Sequence, residues 1–384
     1  MAALIFEPDI QQKLHILGGE AEDDVTSVPT SAPTPGGLRG AANMIYEAKR
    51  PGGTTKLMKV LQTNACRFSC SYCFTSCAIR RQRTTFKPDE LVRTFGILRQ
   101  SRRAEGLFLS SGIVPDANTT MEKMLATVER LRLREGYTGY IHLKLIPGAA
   151  FEYIERAVAL ADRVSLNLEA PNAERLAQLS PDKEFTSSMW GRMAWAAELI
   201  RQARATGAPG AKSLTTQFVV GAAGESDREL MATVARAHHE LDLRRAYFSA
   251  FRPIDESPFA DIPAEDPARE LRLYQAEFLL RDYGFAVEDL PFDEGGLLPR
   301  DRTPKQAWAE RHLHEPVEVN RAPRQVLLRV PGIGPASADK IIAARRAAKI
   351  TDLGQLQRLG VVAGWAAPYV LLAGQRPAAQ LALW

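Results

Sequence analysis

The sequence predicts an α/β fold in which a partial barrel of six strand–helix units, (β/α)6, is followed by a small all-α domain. Three observations carry this reading. From Lys56 onward, short apolar segments of strand length alternate with amphipathic segments of helical period, the rhythm of a parallel sheet. Six such units fit into roughly 200 residues, where a closed barrel takes eight in about 250. Beyond a Pro- and Gly-rich connection at 290–304, strand-like segments give way to two short apolar helical faces around Pro331-Gly332-Ile333-Gly334.

Taken in order, residues 1–19 read as a short helix with Ile10, Leu14 and Leu17 on one face, and 20–42, rich in Pro, Thr, Ser and Gly, as a mobile loop. The first strand, 56–63, runs into a cysteine-rich loop. A helix starts at Pro88, with Asp89 and Glu90 at the positive end of its dipole and Leu91, Phe95 and Leu98 inward. The second strand, 106–111, precedes a helix whose capping box is Thr119-x-x-Glu122 and whose inner face is Met121, Met124, Leu125, Val128 and Leu131. Strands follow at 140–146, ended by Pro147-Gly148, and at 163–169, ended by Pro171. A helical stretch at 186–206 leads to a fifth strand at 215–221. A Ser226-x-x-Glu229 box then opens a helix, and the sixth strand, 246–251, stops at Pro253. The expected divisions are an N-terminal helix and flexible segment at 1–43, the barrel at 44–289, a connector at 290–315 and the helical domain at 316–384.

The 384 residues are 45% hydrophobic and 24% charged, as in an ordinary soluble protein, and carry a net charge of +4. Basic residues outnumber acidic ones nine to two between Cys66 and Arg103, and seven to one between Arg321 and Ile350, which suits a polyanionic partner. No apolar run approaches membrane-spanning length, and the start lacks a basic-then-hydrophobic signal pattern. The four cysteines do not form a disulfide framework, so a reducing, cytoplasmic location is expected.

Three of those cysteines, Cys66, Cys70 and Cys73, are spaced C-x3-C-x2-C. One short loop can thus present three thiolates to a metal centre, and a [4Fe–4S] cube normally takes four. Cys77 extends the run, leaving open a four-thiolate zinc site or a fully ligated cluster. In a parallel barrel the face opposite the helices looks inward, and side chains alternate along each strand. If Ile141, Leu143, Val164, Leu166 and Leu168 face the helices, His142, Lys144, Ser165, Asn167 and Glu169 face the interior. Such a lumen is costly unless its groups pair with one another or meet a polar ligand.

The C-x3-C-x2-C spacing, with Tyr72 before the last cysteine, resembles the signature of the radical S-adenosylmethionine (SAM) enzymes. That resemblance implies a radical SAM barrel in which Cys66, Cys70 and Cys73 hold three irons and the fourth is left for SAM, whose reductive cleavage gives a 5′-deoxyadenosyl radical. It also implies a cofactor-binding set. Ser110-Ser111-Gly112 stands where the superfamily holds the SAM amino group, and Gly221-Ala222-Ala223-Gly224-Glu225 resembles its adenine-side motif. Tyr72, His142, Lys144, Ser165, Asn167, Glu169 and Gln217 complete the set. Cys77 or Tyr247 is expected as the hydrogen-atom donor to a substrate radical, with a spectator thiol as the alternative for Cys77, and flavodoxin or ferredoxin as the electron donor.

Residues 322–346 resemble a helix-hairpin-helix motif, with a degenerate second hairpin at 352–374. Here Gly332, Ile333 and Gly334 would offer backbone N–H groups to a phosphate, and Lys340, Arg345 and Arg346 would neutralise its neighbours. Such units hold duplex DNA by its backbone without reading sequence. The runs KLMKVLQTNACRFSCSYC, EGLFLSSGIVPDANTTMEKM, GYIHLKLIPGA, ADRVSLNLEAP and LLRVPGIG, in order over 56–346, are similar to the radical SAM family assigned to DNA modification and repair, whose genes often neighbour a uracil-DNA glycosylase. Two stretches depart from it. Residues 74–80 replace that family's N-R-x-S-N-D-type run, and its N-terminal cysteine- and serine-rich stretch is absent. The expected function is an enzyme acting on DNA, with the basic run Arg80, Arg81 and Arg83 at the entrance. Action on tRNA or another RNA, and a non-enzymatic DNA-binding redox sensor, are the alternatives.

Overall fold

Seven strands form one sheet in the order in which the chain makes them: β1 Ile45–Arg50, β2 Gly53–Leu61, β3 Gly106–Ser110, β4 Ile141–Lys144, β5 Arg163–Ser165, β6 Ser213–Val220 and β7 Arg245–Ala250. The structure, a computed structural model, describes residues 8–21, 45–50 and 53–377. Most of the loop expected at 20–42, and the first residues of the N-terminal stretch, lie outside these. Strands β2 to β7 are parallel to their neighbours, and β1 runs antiparallel along β2. Among the described residues β1 and β7 pair with no further strand, and the six parallel strands make an open half-barrel. Strand β1 was not expected. Its sequence, IYEAKR, is too short and too polar to stand out, and it pairs along its length with β2.

Thirteen helices are described: α1 Ile10–Gly19, α2 Pro88–Gln100, α3 Ala117–Glu129, α4 Phe151–Leu160, α5 Ala173–Leu179, α6 Gly191–Thr206, α7 Asp227–Leu241, α8 Pro267–Asp282, α9 Pro304–His312, α10 Arg324–Leu327, α11 Pro335–Ala347, α12 Leu353–Arg358 and α13 Ala363–Ala366. None of the described helices is long and apolar enough to cross a membrane. The outward sheet residues Met58, Val60, Leu107, Leu109, Ile141, Leu143, Val164, Leu166 and Phe218 are fully buried, as are Leu91, Met121, Met124, Leu125 and Val128 of the covering helices. This apolar layer holds the strands flat on their helices and frees the opposite face for polar groups.

Three local expectations change. Helix α3 is capped by Asp116, not by a Thr119–Glu122 box. The Asp116 carboxylate accepts from the Thr119 backbone N–H at 2.9 Å and from its hydroxyl at 2.8 Å, while Glu122 pairs with Arg156. A carboxylate at the N-cap outcompetes a hydroxyl one turn later. In α1, Ile10 is exposed, and the buried face is Lys13 and Leu17, with Lys13 paired to Glu90 at 3.1 Å. Strand β5 ends at Ser165 instead of running to 169. The buried Thr216 hydroxyl donates to Leu166 O and accepts from Leu168 N, so a side chain replaces the ladder there. The Ser226–Glu229 box is present as expected.

The chain divides into two compact units, Met1–Glu225 with Arg236–Glu270, and Ser226–Ala235 with Leu271–Trp384. Composition alone places the barrel's end later, at 289. In the second unit, Val319, Leu327, Val330, Ile333, Ala338, Ile341, Leu356 and Val370 form the core beneath α10 to α13 and the short parallel pair β8 Val317–Glu318 and β9 Val370–Leu371.

Candidate active site

The concave face of the half-barrel is layered by register. Lys59, Phe108, His142, Arg163 and Ser213 stand side by side in one row. Lys144, Ser165, Thr215 and Arg245 form the next row, followed by Gln217 beside Tyr247 and Val219 beside Ser249. The lower row closes the floor. Phe108 meets the His142 ring edge-on, and His142 Nε2 lies 2.8 Å from Ser165 Oγ. Burial, then the charges of Arg163, Lys144 and Lys59, holds the His142 imidazole well below its usual pKa and therefore neutral.

Above that floor opens a cavity of about 530 Å³. Of the expected site residues, Cys66, Cys70, Tyr72, Cys73, Ser110, Ser111, Gly112, Lys144, Asn167, Glu169 and Gln217 all line it. His142, one row deeper, does not, nor do Ser165 and Tyr247, although their row neighbours Lys144 and Gln217 do. Gly221 and Glu225 also lie outside the lining. The Glu225 carboxylate accepts from Gly221 N at 2.5 Å and Ala223 N at 3.2 Å, which closes its own turn after β6. Cys77 is exposed, its N–H donating to Phe68 O at 2.9 Å, and it is outside the lining that the other three cysteines share.

The cysteine loop springs from β2 and lies over the end of β3, where Arg67 N–H donates to Ile113 O at 2.8 Å. Gly112 permits this approach. Its N–H donates to Thr63 O at 2.7 Å, and a Cβ there would fall 2.4 Å from Ala65 O. Each sulfur has a polar partner: Phe68 N–H to Cys66 Sγ at 3.4 Å, Ser180 Oγ to Cys70 Sγ at 3.0 Å and Thr75 Oγ1 to Cys73 Sγ at 3.1 Å. Burial raises the Cys70 thiol and pushes that of Cys73 up to about 12. Metal loading of this loop therefore has to displace protons. Among the described residues no three His, Cys, Asp or Glu side chains converge as the ligands of a single ion would. A cube instead takes each thiolate on a separate iron. Three thiols on one polar cavity, each with a hydrogen-bond partner, fit such a cluster.

Lys183, which sequence reasoning missed, lines the same cavity and is buried. Its ammonium donates to Tyr72 Oη at 2.7 Å and Glu169 Oε1 at 3.2 Å. Burial works against the charge, but Glu169 and the neighbouring cysteines keep Lys183 above the usual lysine range. The lysine sits in an irregular loop after α5, where no periodicity marks it. The basic run beyond the cysteines separates by role. Arg81 lies across the Phe74 ring at 4.6 Å, and both line the cavity. Arg83, by contrast, turns inward and donates to the carbonyls of Asn64, Thr75, Ser76 and Ile79 at 2.6–3.0 Å. Its place is inside the loop, not at an entrance.

In the second unit, Gly332 has φ +79°, Ile333 is buried and Gly334 is the N-cap residue of α11. A Cβ on Gly332 would meet Val362 O at 2.4 Å, so the turn needs glycine for both conformation and space. Lys340 and Arg346 are exposed on α11. Arg345 instead donates to Val319 O and Ala322 O at 2.8 and 2.7 Å, tying α11 to the preceding segment. Lys305 of α9 reaches Ile333 O at 2.6 Å, and burial pulls its ammonium down to about 7.

Residues 60–237 match the family model described as the Radical SAM superfamily. No curated protein matches the chain. Among solved structures, HydG, a maturase of the [FeFe]-hydrogenase, is similar at 14% identity and a TM-score of 0.45, over 57% of this chain and 48% of that one. HydG from Carboxydothermus hydrogenoformans is similar at 16% and 0.44, over 57% and 50%. A radical SAM methyltransferase from Sphaerobacter thermophilus is similar at 18% and 0.43, over 61% and 65%. The match spans about half the length of the HydG chains.

Proposed function

We propose that this chain, whose residues 60–237 match the Radical SAM superfamily, is an enzyme that uses a [4Fe–4S] cluster and SAM and acts on DNA, modifying a base or repairing a lesion. One observation carries the catalytic half of this reading: the three cysteines of the C-x3-C-x2-C loop line one cavity together with Lys144, Asn167, Gln217 and the Glu169–Lys183 pair, while Cys77 does not. When bound, the cluster and SAM would supply a 5′-deoxyadenosyl radical. The residues of this chain do the rest. Cys66, Cys70 and Cys73 would hold the cluster. Lys144, Asn167 and Gln217 offer a cation and two amides to the carboxylate, ribose and adenine of SAM. The row of Lys59, Phe108, His142 and Arg163 would close the cavity from below. Enzymes of this class commonly take electrons from flavodoxin or ferredoxin, and one of these is the proposed donor.

The nucleic-acid half rests on the second unit. A helix-hairpin-helix reading of 322–346 is supported by the glycine-dependent turn at 331–334, the start of α11 at that turn and the exposed Lys340 and Arg346. At the cavity, the Arg81–Phe74 pair offers a cation and an aromatic face, which suits a nucleotide.

The test is anaerobic reconstitution with iron and sulfide, followed by SAM, dithionite and deuterated duplex DNA. 5′-Deoxyadenosine carrying deuterium is the expected product. Label from structured RNA but not from DNA would reassign the substrate. No 5′-deoxyadenosine from a fully loaded cluster would refute the enzyme.

A further inference from the structure

The segment after α5 runs back over the cysteine loop and meets it residue by residue. Leu179 O accepts from Ser71 N at 2.9 Å, and the Asp182 carboxylate accepts from Ser69 N and Ser69 Oγ at 2.6 and 2.7 Å. Between these two anchors, Ser180 is fully buried with its hydroxyl 3.0 Å from Cys70 Sγ. The backbone of Ser180 has a separate task, since its N–H donates to Leu176 O and closes α5. The side chain is therefore not needed as the helix cap. Thr75 stands in the same relation to Cys73, at 3.1 Å.

We propose that Ser180, delivered by the 179–183 segment, and Thr75 are positioning residues that tune the reduction potential of the cluster by hydrogen bonding to Cys70 and Cys73. The inference rests on the radical SAM reading of the site. An iron-bound thiolate carries no proton, so the hydrogen between sulfur and oxygen can come only from the hydroxyl. Such a bond draws electron density from the sulfur. It favours the reduced cluster, which carries one more negative charge, and so raises the potential. Cys70 is buried, and away from water such a bond is strengthened. Two of the three ligands thus receive a side-chain hydroxyl, one from the adjoining loop and one from more than a hundred residues away.

The experiment uses the full chain, reconstituted anaerobically, as wild type and as Ser180→Ala, Ser180→Thr, Thr75→Val and the Ala/Val double variant. Iron and sulfide are counted, and each protein is titrated with dithionite and redox mediators while the reduced cluster is followed by electron paramagnetic resonance. Ser180→Ala and Thr75→Val should each keep the full cluster. At a fixed potential, each should lower the reduced-to-oxidised ratio about fivefold, or about 40 mV at 59 mV per tenfold. The double variant should compound the two losses, and Ser180→Thr should titrate like wild type. Loaded single variants with the wild-type midpoint would overturn the proposal, as would Ser180→Thr shifting as far as Ser180→Ala. Should Ser180→Ala take up no iron, an unchanged midpoint in Thr75→Val overturns it alone. A wild-type chain that takes up no cluster defeats the underlying reading as well, and is told apart by its missing iron.

Discussion

Glu169 and Lys183 form an ion pair at 3.2 Å in the cavity wall, with both side chains less than a tenth exposed. Glu169 also holds φ at +64°, a conformation that costs a non-glycine residue about 1–2 kcal/mol. Its backbone is fixed there by bonds to β6, from Glu169 N to Gln217 O and from Val219 N to Glu169 O. A strained residue bearing a buried charge is expensive, and Lys183 offsets the charge. Lys183→Met should therefore strand a buried carboxylate and destabilise the chain by about 3–5 kcal/mol. Adding Glu169→Gln should recover a large part of that loss. Urea unfolding of the cluster-free protein at pH 7 measures both. A change below about 1 kcal/mol in the single variant would mean that water already solvates Glu169.

Iron content separates the cysteines. Cys66→Ala, Cys70→Ala and Cys73→Ala should each lose most of the iron and sulfide on reconstitution, because each removes a thiolate lining the cavity. Cys77→Ala should retain the wild-type content, its side chain being exposed and outside that lining. Loss of the cluster in Cys77→Ala would restore the four-thiolate alternative.

Arg83 and Arg81, two positions apart, should respond in opposite ways. Arg83 ties four carbonyls between 64 and 79 with a planar fork that a lysine cannot reproduce. Arg83→Ala should cost about 3 kcal/mol, on the scale of charged hydrogen bonds that do not simply add. Arg83→Lys should recover less than half of it. Arg81 is exposed, and Arg81→Ala should leave stability within about 0.5 kcal/mol of wild type. Thermal unfolding of the three variants decides the matter.

His142 gives the half-barrel a pH dependence of fixed sign. Its folded-state pKa is depressed, by burial first and then by Arg163, Lys144 and Lys59, while the unfolded chain takes up the proton near pH 6.5. The unfolded state therefore binds more protons as pH falls through 6.5. Stability should drop by up to about 1.4 kcal/mol per pH unit from this residue until its folded value is reached. His142→Gln, which can still meet Ser165, should remove about one proton from the slope measured between pH 6.5 and 5. An unaltered slope would mean that the imidazole is already charged in the fold.

Much of this was legible because periodicity records burial. The six parallel strands and the inward placement of Lys144, Asn167 and Glu169 follow from alternation, and the cysteine cavity from spacing. What escaped the sequence lies where a side chain, not a period, decides. Thr216 ends β5 early by taking over its backbone partners, and Asp116 displaces Thr119 as a cap. Lys183 and Ser180 reach Tyr72 and Cys70 from a loop more than a hundred residues on, a juxtaposition that only the closed fold creates. Arg83 and Arg345 look like free cations in a basic run, yet both are spent on carbonyls that nothing local announces.

That last distinction carries over to nucleic-acid binding. Lys340 and Arg346 are exposed on α11, whereas Arg345 is held by Val319 O and Ala322 O. If 322–346 grips a phosphate backbone, Lys340→Ala and Arg346→Ala should each weaken duplex binding equally across sequences. Each should also lower the slope of log affinity against log salt by about 1, with no change in the unfolding midpoint. Arg345→Ala should do the reverse. Its main effect should be on stability, because two buried carbonyls lose their donor at about 1–3 kcal/mol apiece. Fluorescence anisotropy with a labelled duplex at several salt concentrations, run beside thermal unfolding, separates the two behaviours. Salt slopes unmoved by both exposed substitutions would remove α11 from the proposed DNA-binding surface.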